Sequence, residues 1–308
     1  GYLGKTLCSV ALVVLVFFGM RGRINLDYTP ICLNDSFFCS NHFLNQLGLN
    51  PNYVLITSAA ENVDKDYFAF VDEDEALIEV QKQLGITEEN EDFPLSRYVV
   101  ADKERNDYNV VLVLMESMKS SNMAHSGNKL GLTPVLDSIS DKSLFFDNFY
   151  SQNTRTCYGI FSTLMGYPSM FPGNPMYGTP LRKYESMPSV LKENGYSTAA
   201  IISHDKQFDN IYGFYLANGF ETVVSEEDYP KKEIINSWGI PDHILFEHSL
   251  NLIDELHSKG KPFFINILTV SNHAPFILPE GYVSPLTDCS DELKEIETEV
   301  EIYKGIRR

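Results

Sequence analysis

The chain has 308 residues, 44 % of them hydrophobic, and a formal net charge of −18 at pH 7. That is room for one large α/β domain with accessory segments, and the apolar share excludes wholesale disorder. The acidic balance excludes nucleic acid as a partner, because binding a phosphate backbone needs a basic surface.

Residues 6–20, TLCSVALVVLVFFGM, form an uncharged apolar run, somewhat short of the ~20 residues that cross a bilayer. The chain opens GYLGK rather than with Met, so residues 1–20 are expected to be the end of a transmembrane helix in a longer protein. A signal peptide is the alternative, but RGRINLDYTP follows the run in place of a small-residue cleavage pattern. Arg21 and Arg23 would favour a cytoplasmic C-terminal side for a helix acting alone, a bias that earlier helices can override. Residues 21–107 are expected to be a connecting segment. SNHFLNQLGLNPNYVL predicts a short helix ended by Gly48 and Pro51. DEDEALIEVQKQLG predicts a second helix with an acidic first turn and Gly85 as its C-terminal cap. ENEDFPLSRYVVADKERNDYN reads as an extended strap. Five cysteines, at positions 8, 32, 39, 157 and 289, are too sparse for a disulfide scaffold; Cys32 and Cys39 are either a pair or free thiols.

From residue 108 the pattern is strand–helix alternation, which predicts an α/β fold with a mainly parallel sheet flanked by helices, running to residue 308. Val110–Met115 is too short for a buried helix and rich in β-branched residues, so it predicts a strand covered on both faces. LTPVLDSISDKS is a helix opened by Thr133 and Pro134. SLFFDNFYSQN is expected to be a strand, TRTCYGIFSTLMG a helix, and MPSVLKENG a short helix stopped by Gly195. YSTAAIISHD is a second apolar strand, DHILFEHSLNLIDELHSKG an amphipathic helix, and KPFFINILTVSNH a third buried strand. The tail SDELKEIETEVEIYKGIRR reads as helical.

Three apolar strands thus hand over, at the same end, to polar residues of catalytic type: Glu116, His204 with Asp205, and Asn272 with His273. Ligands of parallel sheets bind just beyond the carboxyl ends of the strands, so these groups are expected along one rim. Their side chains suit Mg²⁺, Mn²⁺ or Zn²⁺. TRTCYGIF offers a nucleophile: Thr154 and Thr156 lie at a helix start, where free N–H groups favour an oxyanion, and Arg155 could hold an anionic substrate. A metal-bound threonine alkoxide would be stabilised there; the plainer alternative is that either threonine is only an N-cap.

The succession NVVLVLMES, LTPVLDSIS, FFDNFYSQNTRTCYGIFSTLMGYPS, SHDKQFDNIYGFYLANGFE, WGIPDHILF and PFFINILTVSNHAPF resembles the lipoteichoic acid synthase-like phosphoglycerol transferases of the alkaline phosphatase/sulfatase superfamily. The resemblance covers about residues 106–280. It implies a membrane-anchored enzyme at the cell (inner) membrane with its catalytic domain on the extracytoplasmic side. A metal-bound threonine would take phosphoglycerol or phosphoethanolamine from a membrane phospholipid donor and pass it to a glycan or glycolipid acceptor. By the resemblance, Thr156 is the nucleophile, Glu116 and Thr156 are metal ligands, and Arg155, His204 and His273 bind substrate. The cofactor is a divalent metal, Mn²⁺ first, with Mg²⁺ or Zn²⁺ as alternatives. Trp238, Gly239 and Asp242 match a structural segment.

Two departures stand out. Where the phosphoglycerol enzymes carry a Trp-Asn-Arg element, this chain has Gln207-Phe208-Asp209-Asn210 without Arg, which puts glycerol phosphate in doubt. The family's second metal-ligand pair, an Asp-His, does not occur in the tail after Pro275. The chain is therefore expected to be C-terminally incomplete, to bind Mn²⁺ or Mg²⁺ weakly, and to lack transferase activity by itself. Two alternatives from other classes are a sulfatase-like hydrolase and a non-catalytic fragment. Against the first, Cys157 lacks the Pro and Arg of the C/S-x-P-x-R motif that sulfatases convert to formylglycine.

Overall fold

The computed structural model describes residues 2–22, 24, 36, 42–61, 71–87, 90, 92–97, 99–100, 104–168, 174–177 and 181–273. Contacts divide the chain into two compact units, residues 51–108 and the remainder. In the larger unit α1 (Tyr2–Arg21) is twenty residues long, and its stretch Tyr2–Gly19 is long and apolar enough to cross a membrane. The short α2 (His42–Leu47) follows.

The smaller unit holds α3 (Pro51–Glu61) and α4 (Glu73–Leu84). Pro51 was expected to end a helix and instead begins one. Its fixed φ and missing N–H suit the first helical position, where no intrahelical partner exists for that donor. In α4 the Asp72 carboxylate accepts from the Asp74 N–H at 3.0 Å, and Gly85 closes the helix at φ 65°, as the sequence predicts.

In the larger unit β1 (Val110–Leu114), α5 (Pro134–Ser140), α6 (Thr156–Met165), α7 (Met187–Glu193), β2 (Ser197–Ile202), α8 (Ile211–Ala217), β3 (Thr222–Val224), α9 (Asp242–Ser258) and β4 (Phe263–Leu268) build a four-stranded parallel sheet in the order β1-β4-β2-β3. Its strands alternate between two apolar cores. Ala200, Ile202, Phe264 and Leu268 face α6 and α8, packing on Tyr158, Phe161, Leu164, Phe214 and Tyr215. Ala199, Ile201, Ile265 and Ile267 face α9, against Leu245 and Leu256. Each Ile, Leu or Phe side chain among them taken fully out of water contributes about 1.5–3 kcal/mol. Asn266 is a polar residue at the centre of this interior. It accepts from the Tyr215 hydroxyl at 2.8 Å and donates to the Leu112 carbonyl at 3.3 Å, so its burial leaves neither end unmet.

Two expectations are corrected. β1 is not covered on both faces: it is the edge strand among the described residues, and Val111 is 46 % exposed. SLFFDNFYSQN forms no strand. A strand is made by backbone pairing, and this segment pairs with none of the described strands although β1 has a free edge among them. Leu144, Phe146, Phe149 and Tyr150 are exposed there, and Asp147 is held by His125 at 2.7 Å. The predicted tail helix, Cys32, Cys39 and Cys289 lie outside the described residues.

Candidate active site at the carboxyl rim of the sheet

Strand register sets the rim. Leu114 pairs with Leu268, and Leu268 with Ile202, so β1, β4 and β2 end level. Two residues further on stand Glu116, Val270 and His204, with Glu116 and His204 on either side of the β4 end. The chain after β4 then fixes the chain after β1. Thr269 Oγ1 accepts from the Glu116 N–H at 2.8 Å, and the Asn272 amide donates to the carbonyls of Glu116 and Ser117 at 3.2 and 2.9 Å. Ser117, at φ 49°, is thereby held in a left-handed turn that a non-glycine residue adopts at a cost. The sequence reading missed Thr269. The bonds that reveal its part span 153 residues, and no local pattern carries them.

The Glu116 carboxylate is oriented by two hydroxyls. Ser117 Oγ donates to Oε1 at 2.8 Å, and Thr156 Oγ1 donates to Oε2 at 2.9 Å. Thr156 is the first residue of α6, whose N-cap is Arg155 with no side-chain cap. It is therefore not an N-cap, and the first N–H groups of α6 stay available beside its hydroxyl. Thr154 turns away, bonding Asn153 through its N–H at 2.6 Å and its hydroxyl at 3.4 Å. Cys157 faces the core with no exposure, and burial, with Asp209 adding to it, pushes its thiol up, so it makes a poor nucleophile.

Arg155 reaches across to Asp209, Nη2 to Oδ1 at 3.7 Å. Asp209 belongs to a tight turn, Asp205–Asn210, that covers His204; the rings of His204 and Phe208 lie 4.9 Å apart. His204 is 3 % exposed. Its Nδ1 lies 3.0 Å from the Asp205 carbonyl, which only accepts, so Nδ1 carries the proton and Nε2 offers a lone pair. That Nε2 is buried and has no partner among the described residues. The His273 and Trp238 rings lie 3.8 Å apart, tilted by 41°, and Trp238 meets Phe208 at 5.1 Å, so a row of rings links His273 back to His204. Of the predicted residues, then, Glu116 and Thr156 touch, Arg155 joins through Asp209, and the two histidines join through aromatic rings. Asp242 has the structural place expected of it: its Oδ1 accepts from the N–H groups of Val270 and Ser271 at 2.7 and 3.0 Å, tying α9 to the end of β4.

Burial strips water from the His204 imidazolium and holds its pKa below the ordinary 6.5, against the pull of Asp205, Asp209 and Glu116. Below that ordinary value the unfolded chain takes up a proton that the folded chain refuses. This part of the stability is present above about pH 6.5 and is lost as pH falls through the folded pKa. Between about pH 7.5 and 5.5 the melting temperature of the wild type is expected to fall further than that of His204→Gln. Equal falls in thermal scans would place the titrating group elsewhere.

Carboxylate and hydroxyl oxygens are the donors a hard divalent cation takes, and Glu116 and Thr156 stand close enough to share one ion. The pair fits such a cation in donor type, as two ligands of a larger set. Among the described residues no group of three or more His, Cys, Asp or Glu side chains forms a metal site.

The profile of the family described as "Sulfatase" matches residues 108–298, more than half of the chain. The chain belongs to the sulfatase family. A protein of the alkaline phosphatase superfamily from Vibrio parahaemolyticus superposes on this family member with a TM-score of 0.65, over 71 % of this chain and 54 % of its own, at 27 % identity. The fold is that of the alkaline phosphatase superfamily. Lipoteichoic acid synthase LtaP from Listeria monocytogenes shares it, with a TM-score of 0.55 and 24 % identity over 65 % of this chain and 49 % of its own. Lipoteichoic acid synthase 2 of Bacillus subtilis is 24 % identical over 250 residues, which are 79 % of this chain and 37 % of that protein. The lipoteichoic acid synthase-like protein YvgJ of the same organism is 28 % identical over 56 % of this chain and 28 % of its own length. This sulfatase-family chain thus spans roughly a third of those curated relatives.

Proposed function

We propose that this chain carries the nucleophile half of a membrane-anchored phosphotransferase. It would move a phosphoglycerol or phosphoethanolamine headgroup from a phospholipid to a glycan or glycolipid acceptor outside the cytoplasm. The observation that carries the proposal is the Thr156 hydroxyl, bonded to Glu116 Oε2 at 2.9 Å and set at the uncapped start of α6 on the carboxyl rim. The named lipoteichoic acid synthases among its relatives favour transfer over simple hydrolysis. The apolar stretch Tyr2–Gly19 supports a membrane anchor.

Glu116 and Thr156 would hold a divalent cation, Mn²⁺ or else Mg²⁺ or Zn²⁺, which when bound lowers the pKa of the hydroxyl. Glu116 Oε2 holds the hydroxyl proton and turns the Thr156 lone pairs outward. Arg155 and the first N–H groups of α6 receive the phosphate oxygens. The Thr156 oxygen forms its bond to phosphorus as the bond to the diacylglycerol oxygen breaks, and the proton that Thr156 gives up passes through water to the departing diacylglycerol. An acceptor hydroxyl then attacks the same phosphorus as the bond to the Thr156 oxygen breaks, and its proton passes to that oxygen, restoring the Thr156 hydroxyl. His204 Nε2, a lone pair in a dry setting, would accept from a substrate hydroxyl.

Glu116→Gln keeps the shape of the side chain and removes its charge. Calorimetric titration of the full-length protein with Mn²⁺ is expected to lose more than the roughly 10–100-fold that follows loss of an outer partner. Unchanged Mn²⁺ affinity would remove Glu116 from the ligand set.

A further inference from the structure

Arg155 and Asp209 stand at the mouth of the site as a loosely joined pair of opposite charges. Their separation of 3.7 Å is longer than the 2.7–2.9 Å or so of a close charge-assisted bond. The Arg155 side chain is 58 % exposed and Asp209 13 %, so the guanidinium can turn to a ligand while the carboxylate stays fixed. Asp209 is fixed by what surrounds it. Tyr177 donates its hydroxyl to Oδ1 at 3.1 Å, and Oδ2 has no hydrogen bond among the described residues.

The backbone beneath is strained in a definite way. Asp209 and Asn210 both lie in the left-handed region, at φ 49° and 59°, and neither is glycine. The buried Asn210 amide, bonded to the Met176 carbonyl at 2.6 Å, holds the turn in place. Such strain survives only where the surroundings over-determine it, and here it presents one carboxylate beside Arg155. An anionic headgroup that draws Arg155 to its phosphate leaves the Asp209 carboxylate without that partner. A zwitterion can satisfy both groups at once.

We propose, resting on the phosphotransfer proposed above, that the Arg155–Asp209 pair recognises the donor headgroup as a zwitterion. Arg155 takes the phosphate, and Asp209 Oδ2 takes an ammonium two carbons from the ester oxygen. The donor is then a phosphoethanolamine lipid rather than a phosphoglycerol lipid. Asp209 is a specificity-determining residue and takes no part in bond making.

The test uses the full-length protein and soluble headgroups first. In calorimetric titration, O-phosphoethanolamine is expected to bind about tenfold more tightly than glycerol 3-phosphate. Asp209→Asn, whose side chain tolerates the left-handed turn and can still bond Tyr177, is expected to bring the two to parity. Diacylglycerol release from phosphatidylethanolamine and phosphatidylglycerol vesicles asks the same of the lipids, with the same preference expected and the same loss in Asp209→Asn. Equal affinities or a preference for glycerol 3-phosphate in the wild type would overturn the proposal, whether or not the variant folds. So would an Asp209→Asn that weakens both ligands alike. Selective binding of the zwitterion by a protein that transfers nothing would overturn the phosphotransfer and leave the recognition standing.

Discussion

Thr156→Ala in the full-length protein is expected to lower headgroup transfer by roughly 10⁴-fold or more, the scale of losing a covalent nucleophile. Folding should survive. Thr156 is the first residue of α6 and not its cap, so the substitution deletes one hydrogen bond to a carboxylate, worth about 1.5–3 kcal/mol. Thr156→Ser restores a hydroxyl at the same distance along the side chain and is expected to keep measurable turnover. Thr154→Ala serves as the control, because Thr154 is turned into Asn153 and away from Glu116. Diacylglycerol release from phospholipid vesicles reads all three variants, and a thermal melt reads their folding. Full activity in Thr156→Ala, or an inactive Thr154→Ala beside an active Thr156→Ala, would take the nucleophile away from Thr156.

Gly239→Ala is expected to cause the largest loss of stability of any single-methyl change near the site. Gly239 has φ 84°, where an L side chain is strained by about 1–2 kcal/mol. Space is the harder limit. A Cβ there would lie 1.8 Å from the Ser203 carbonyl oxygen and 2.6 Å from its carbon, so backbone must move. The two effects together cost roughly 3 kcal/mol or more, within the range of the severe single substitutions. At about 2–4 °C per kcal/mol for a domain of this size, the melting temperature should fall by about 6–12 °C. The displaced backbone is that of Ser203, next to His204, and the moving loop carries Trp238, whose ring lies against His273. Loss of Trp238 fluorescence environment should therefore accompany the loss of stability. An unchanged melting temperature would mean that the Trp238 loop does not press on the end of β2.

By itself the sequence determined three of the four described sheet strands and most of the helices, and missed the short β3. Strands announce themselves as short apolar runs, as in VVLVL, STAAII and FFINIL, and the last two are buried on both faces while VVLVL at the edge is not. Helix ends were legible where a glycine stops the helix, as at Gly85 and Gly195. The order of polar strand ends also pointed to one rim. Local pattern stopped there. SLFFDNFYSQN has the composition of a strand, yet pairing depends on a neighbour that composition cannot supply. Local pattern left Thr154 and Thr156 open and the resemblance favoured Thr156; the level ending of β1, β4 and β2 brings Glu116 within 2.9 Å of the Thr156 hydroxyl and not of Thr154. Thr269 and Asn272, which hold the Glu116 backbone from more than 150 residues away, carry no sequence signature of that task. Asp209 was visible only as a missing arginine, and its place beside Arg155 was decided by a left-handed turn that a buried Asn210 sustains. Residue types follow from the chemistry a site needs, whereas the distances between them are set by register and packing, which no single segment contains.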